Sequence, residues 1–180
     1  FNYISFRATG AAITALLISF FIGPKIIRTL MSYQIGETIR TNGPESHLKK
    51  EGTPTMGGII VLMAIILPTI LWSKLNNIFI LLILVSTMWM GAIGFIDDYL
   101  KVIKKYPKGL IAKYKMLGQF LLGLFIGVII IYFHNDSIYS TSTSIPFIAN
   151  GMIDLKWLYL PLIIIVITAT SNAVNLTDGL

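Results

Sequence analysis

The stretch that decides the fold is Ile78-Phe-Ile-Leu-Leu-Ile-Leu-Val-Ser-Thr-Met-Trp-Met-Gly-Ala-Ile-Gly-Phe-Ile96, which is followed at once by Asp97-Asp98-Tyr-Leu-Lys101. This uncharged run approaches the roughly 20 residues that a helix needs to cross the hydrocarbon of a bilayer. Two carboxylates at the edge of such a span are costly, and a divalent cation relieves both their burial and their mutual repulsion. The stretch therefore predicts a transmembrane helix that ends in a metal-assisted site for a charged substrate.

The composition places the chain in a membrane. Of its 180 residues 55% are hydrophobic and 12% are charged, whereas a soluble domain carries about 25% charged residues. Cysteine is absent, and the two histidines, His47 and His134, lie too far apart for a zinc-binding pattern. The net charge of +6 favours an anionic lipid surface or an anionic substrate over nucleic acid, because the lysines cluster beside apolar segments.

The predicted fold is all-α, a polytopic integral membrane helical bundle that forms a single transmembrane domain over residues 1–180. Its five transmembrane helices are predicted at about 8–24, 56–73, 75–96, 116–133 and 157–174. Eleven of the 14 basic residues lie in the loops at about 25–55 and 97–115. The positive-inside rule makes these loops cytoplasmic and the loop at about 134–156 external. Because the sequence starts at Phe1 and stops inside a polar motif, we expect it to be an incomplete piece of a longer protein.

The first motif with chemical potential is Gly43-Pro-Glu-Ser-His-Leu-Lys-Lys-Glu-Gly-Thr-Pro-Thr-Met-Gly-Gly58, in the first cytoplasmic loop. Lysines and hydroxyls ahead of a helix N-terminus predict a site for an anion. An ordinary loop that caps the helix explains the same residues equally well.

The second motif is the acidic pair with the lysines that follow it. On a continuing helix Asp97 and Lys101 are one turn apart, so a simple ion pair is one interpretation. That interpretation explains the lysines but not the doubled aspartate, and we favour a metal or proton-transfer role for Asp97 and Asp98.

The third motif is Asn172-Ala-Val-Asn-Leu-Thr-Asp-Gly179. Asn172, Asn175 and Asp178 recur every third residue and would share a broad helix face. Buried polar groups there need partners, which a nucleotide, a cation or a neighbouring helix could supply. In the fourth predicted span, at about 116–133, Gly123 and Gly127 predict close helix packing.

These motifs resemble the polyprenyl-phosphate N-acetylhexosamine-1-phosphate transferases, and within them the phospho-N-acetylmuramoyl-pentapeptide transferases. The strings that carry the resemblance are GPESHLKKEGTPTMGG, GFIDDYLKV, KGLIAKYKMLGQ and SNAVNLTDGL. It implies a Mg²⁺-dependent multi-pass enzyme of about ten transmembrane helices in the bacterial inner membrane, of which this chain is the N-terminal half. Its cytoplasmic site would move phospho-MurNAc-pentapeptide from UDP to undecaprenyl phosphate, giving lipid I and UMP. A homodimer is a further assembly to test, and we expect this piece alone to be inactive.

The resemblance also implies the roles of individual residues. The catalytic residues would be Asp97, Asp98 and Asp178, and the metal would bind Asp98 and Asp97. The substrate-binding residues would be Lys50, Thr55, Lys101, Lys113 and Asn175.

Three other functions remain open at this point. A GlcNAc-1-phosphate transferase acting on undecaprenyl phosphate would share the same motifs. A cation transporter would use the same carboxylates, although transporters place ionisable residues near the middle of the membrane. A non-catalytic membrane anchor would have no need of clustered carboxylates.

Overall fold

The computed structural model describes residues 3–32, 56–106, 108–133, 141–145, 148 and 151–178. Its helices are α1 (Ile4–Ser32), α2 (Gly58–Trp72), α3 (Ile78–Val102), α4 (Ala112–Phe133) and α5 (Tyr159–Asp178). Two short strands, β1 (Ser142–Ser144) and β2 (Met152–Asp154), and a 3₁₀ turn at Lys156–Leu158 lie between α4 and α5. The chain divides into two compact units, Phe1–Ile111 and Ala112–Leu180.

Among the described residues, four helices are long and apolar enough to cross a membrane. They are Ile4–Ser32, Ile78–Val102, Ala112–Phe133 and Lys156–Val174. Helix α2 has 15 residues, which at 1.5 Å per residue gives about 22 Å, less than the thickness of the hydrocarbon core. The predicted polytopic helical membrane fold is therefore confirmed, and a full crossing by α2 stays a prediction.

The packing of α1 against α2 explains two features of their sequences. A Cβ at Gly10 would lie 2.8 Å from the indole ring of Trp72, so only glycine leaves room for that ring. The Trp72 Nε1–H donates a hydrogen bond of 3.0 Å to Thr14 Oγ1. At the opposite ends of the two helices, Leu30 and Met56 are buried against each other.

Helix α3 begins and ends later than its predicted span. The Asn77 side chain caps it by accepting a hydrogen bond of 2.9 Å from the amide of Phe79, which is a normal way to begin a helix. The helix then continues past the apolar run to Val102. Charge ended the predicted span at residue 96, but charged residues do not end a helix, so Asp97 and Asp98 lie within it.

The second unit is built on the close approach of α4 and α5. A Cβ at Gly123 would lie 2.8 Å from the Cα of Ile164, and one at Gly127 would lie 2.5 Å from Leu160 Cδ1. The later residue of α4 meets the earlier residue of α5, so the two helices are antiparallel. The predicted packing role of this glycine pair is confirmed, since both glycines are buried at the contact.

A small hairpin occupies part of the predicted external loop. Strands β1 and β2 are antiparallel, with Ser142 opposite Asp154. The Asp154 carboxylate accepts hydrogen bonds from the Thr141 hydroxyl and from the Lys156 amide. These two bonds, with the Thr141 bond the larger cause, hold the pKa of Asp154 below its ordinary value of 3.8. Thr141 and Asp154 thus stabilise the hairpin and the turn that follows it.

Candidate active site

Asp97 is held at the C-terminal end of α3 by partners on both of its carboxylate oxygens. The residue is 8% exposed. Its Oδ2 lies 2.8 Å from Lys101 Nζ, one helical turn further on, and its Oδ1 accepts a hydrogen bond of 2.7 Å from the Leu110 amide. The ion pair considered for the sequence is therefore present, and a backbone amide that the sequence did not indicate completes it. Buried charges in proteins are normally satisfied in this way.

The loop after α3 can return to Asp97 only because residue 109 is glycine. Gly109 has a φ of +59°, and its amide donates a hydrogen bond of 2.9 Å to the Tyr106 carbonyl. A side chain at Gly109 would lie in contact with Asp97 Oδ1 and 2.7 Å from Lys101 Cε. Both the backbone conformation and the lack of space thus require glycine. We call Asp97, Lys101, Gly109 and Leu110 the Asp97 cluster.

Asp98 lies next to this cluster and is half-buried. It is close to the C-terminus of α3, where the helix dipole favours a cation. Among the described residues, no three histidine, aspartate or glutamate side chains gather as a metal-ligand set. Magnesium commonly takes only one or two protein carboxylates together with water and substrate phosphates. The two adjacent carboxylates therefore match a magnesium ion in number and in ligand chemistry.

A second polar group lies inside the α4–α5 interface. Gln119 is 4% exposed, and its Nε2 donates a hydrogen bond of 3.1 Å to Ser171 Oγ. Its Oε1 accepts a bond of 2.7 Å from Asn172 Nδ2, which also lies 2.7 Å from the carbonyl of Thr168. We call Gln119, Ser171 and Asn172 the Gln119 network. Of the partners considered for Asn172, the structure shows a neighbouring helix, through Gln119 on α4.

Gln119 was not among the predicted site residues, although it lies in one of the quoted strings. A usable signal was present, because Gln119 is an amide within the apolar span predicted at 116–133. Polar side chains in such positions face the bundle interior and find a partner there. The identity of that partner, more than fifty residues away, could not be predicted from the sequence.

The remaining predicted site residues are placed as follows. Lys113 is exposed in the first turn of α4. The backbone positions of Asn175 and Asp178 lie on α5, which continues as a helix to Asp178. Lys50 and Thr55 fall outside the described residues. The structure thus joins Asp97 to Lys101 and leaves the other predicted contacts as predictions.

Comparison with known proteins identifies the family of the chain. Residues 78–180 match the family model of glycosyl transferase family 4. The match starts at the first residue of α3 and includes both the Asp97 cluster and the Gln119 network. Because it covers more than half of the 180 residues, the chain belongs to glycosyl transferase family 4. Together with its long apolar helices, this makes it a multi-pass membrane protein of that family.

The more particular match is to one kind of transferase. Residues 50–62 match signature 1 of the phospho-N-acetylmuramoyl-pentapeptide-transferases. Relatives named phospho-N-acetylmuramoyl-pentapeptide-transferase are 48% identical in Citrifermentans bemidjiense and 47% identical in Geobacter sp. strain M21, each over 100% of this chain and 49% of the relative. A third, from Chlorobium phaeobacteroides, is 49% identical over 99% of this chain and 48% of its own length. The chain spans about half the length of the curated relatives it matches, and the predicted family resemblance is confirmed.

Proposed function

We propose that this chain is part of an enzyme that makes lipid I. The enzyme transfers phospho-MurNAc-pentapeptide from its UDP carrier to undecaprenyl phosphate and releases UMP, the first membrane step of peptidoglycan synthesis. The observation that carries this proposal is the identity of 47–49% between essentially the whole chain and relatives that bear the name of this transferase. The paired carboxylates at the end of α3 support it, because phosphoryl transfer depends on positioned charge.

In the proposed reaction, an oxygen of the undecaprenyl phosphate attacks the β-phosphorus of the UDP-sugar. The new phosphorus–oxygen bond forms as the bond to the bridging oxygen breaks, and UMP leaves with that oxygen. A phosphate monoester has a second pKa of about 6, so the attacking group is largely ionised at neutral pH. Direct attack therefore needs little help from a base. Initial attack by a carboxylate, which would give a covalent intermediate, is the alternative route.

The contacts of Asp97 bear on the task that this residue can perform. A metal or proton-transfer role was predicted for both aspartates. In this conformation Asp97 could accept a proton only after Lys101 or the Leu110 amide released it. We therefore propose that Asp97 holds the site in shape and that Asp98 is the carboxylate nearer to magnesium. When bound, magnesium would neutralise charge on the diphosphate and stabilise the leaving group.

The other site residues keep the roles that the family resemblance gives them. Lys50 and Thr55 are proposed to bind the nucleotide sugar, and Lys101 and Lys113 to lie near the phosphates. Asn175 and Asp178 are proposed to complete the cleft. The lysine-rich loops support a site on the cytoplasmic face of the bacterial inner membrane, by the positive-inside rule.

The test is a turnover assay on membranes that contain the full-length protein. We expect UMP release and lipid I formation from UDP-MurNAc-pentapeptide and undecaprenyl phosphate, and loss of both when magnesium is chelated. Transfer from UDP-GlcNAc instead would identify the GlcNAc-1-phosphate transferase. Ion flux without UMP release would identify a transporter, and either result would overturn the proposal.

A second assay concerns the 180 residues alone. The relatives are about twice as long, and we propose that their further half completes the metal and uridine sites. The purified 180-residue piece is therefore expected to form no lipid I under conditions in which the full-length protein is active. Turnover by the piece would contradict this part of the proposal.

A further inference from the structure

Gln119 is a buried amide whose hydrogen bonds leave it poorly suited to bind a ligand. Its Nε2 is used by Ser171 and its Oε1 by Asn172. Both partners lie on α5, in the turn that directly precedes the predicted site residues Asn175 and Asp178. A side chain in this position acts on the neighbouring helix.

The hydrogen bonds of Gln119 define the rotation of α5 more sharply than apolar packing can. Apolar contacts between helices in a membrane tolerate small rotations and slides, because lipid and side chain are similarly apolar. A buried amide that loses its partners has no water to replace them, so the paired arrangement is strongly preferred. Asn172 is tied in addition to the Thr168 carbonyl of its own helix, which limits how far its side chain can follow a rotation.

We propose that Gln119 is a positioning residue for the cytoplasmic end of α5. By holding Ser171 and Asn172, it sets the direction in which the next turns of the helix present Asn175 and Asp178. This inference rests on the proposed function, because it assumes that those two residues work in the transferase site. It adds to that site a residue on α4 that touches neither the substrate nor the metal.

The test compares Gln119→Met with Gly127→Ala in the full-length protein. Methionine keeps the length and the burial of Gln119 but removes both of its hydrogen bonds. Gly127 lies at the same α4–α5 interface, about 12 Å further along α4 at 1.5 Å per residue. Its new Cβ would press on the Leu160 side chain, so the control loosens helix packing far from the network.

Two measurements follow, of which the first does not depend on activity. Hydrogen–deuterium exchange should become faster over residues 173–178 in Gln119→Met and stay unchanged there in Gly127→Ala. The second is turnover, where Gln119→Met should lower kcat by about tenfold or more, with a smaller change in KM, since small displacements of reacting groups can cost up to about a hundredfold. Gly127→Ala should stay within about twofold, and kcat is compared between the two variants against their measured losses of Tm.

The outcomes separate this proposal from the function it rests on. Equal exchange in the two variants, or a loss of kcat that simply follows the loss of Tm, would show that Gln119 only stabilises the fold. If the unmodified protein made no lipid I, the proposed function would fail, while the exchange result would still report whether Gln119 holds the end of α5.

Discussion

The Asp97 cluster and the Gln119 network solve the same problem by opposite means. Both place a buried polar side chain, 8% and 4% exposed respectively, inside an apolar helical protein. The Asp97 cluster is charged, and its contacts join residues that lie within 13 positions of one another in the sequence. The Gln119 network is neutral and joins residues 52 and 53 positions apart on two helices. The first arrangement shapes a loop next to a charged site, and the second fixes one helix against another.

If the acidic pair takes part in the reaction, removing the charge of Asp98, next to the Asp97 cluster, should have the largest effect of all. We predict that Asp98→Asn in the full-length protein lowers lipid I formation by about a thousandfold, because a neutral amide cannot replace a carboxylate beside a metal and a diphosphate. The rate of UMP release measures this. Asp154→Asn, in the hairpin, serves as the control and should remain active. More than a tenth of the original rate in Asp98→Asn would contradict the proposed role.

The loop that returns to Asp97 offers the next largest effect. Gly109→Ala forces a Cβ into a left-handed residue and against the Asp97 carboxylate, and we expect a loss of about 2–4 kcal/mol in the free energy of unfolding. Gly94→Ala is the matched control, because a Cβ there meets nothing within 4 Å. Thermal unfolding in detergent distinguishes them. Similar Tm values for both variants would show that the loop does not need this conformation.

The ion pair between Asp97 and Lys101 should contribute less to the free energy of unfolding than the glycine at position 109. Lys101→Met removes the ion pair of the buried Asp97 and leaves the hydrogen bond from the Leu110 amide in place. The lysine side chain is 46% exposed, so water can partly replace it. We expect a loss of about 1 kcal/mol. A double-mutant cycle with Asp97→Asn measures the coupling in the free energy of unfolding. Lys104→Met, which removes an exposed lysine just after the end of α3, should show no coupling. A cycle with zero coupling at Asp97 would refute the interaction.

The smallest effect is expected at a carboxylate outside both groups. The pKa of Asp154 is lowered by the Thr141 hydroxyl and the Lys156 amide, so its ionised form contributes stability above pH 3.8, its ordinary pKa. That contribution should disappear as the pH falls through the lower pKa of the folded hairpin. A carboxyl titration followed by NMR should give a value under 3.8, and Thr141→Ala should raise it. An unshifted titration would show that the hydrogen bonds do not hold in solution.

The contrast between the two groups also explains what could be predicted from the sequence. Uncharged runs of membrane length located the helices, and Asp97 with Lys101 could be paired because helix geometry relates residues four apart. The Leu110 amide could not be predicted, because it reaches Asp97 through the left-handed turn at Gly109. The Gln119 network was missed for a different reason: nothing in an isolated helix says which neighbour it will pack against. Uncharged runs mark the apolar part of a helix rather than its ends, so the extension of α3 from Asp97 to Val102 was not given by the span.

The indole of Trp72 has a practical consequence for studies of the protein in detergent. It is one of three tryptophans and lies half-buried against Gly10, Thr14 and the edge-on ring of Phe6. Replacing Trp89 and Trp157 by phenylalanine would leave a single intrinsic fluorophore at the junction of the first two helices. Its emission wavelength would then report, in real time and without a label, whether those helices stay docked during extraction from the bilayer.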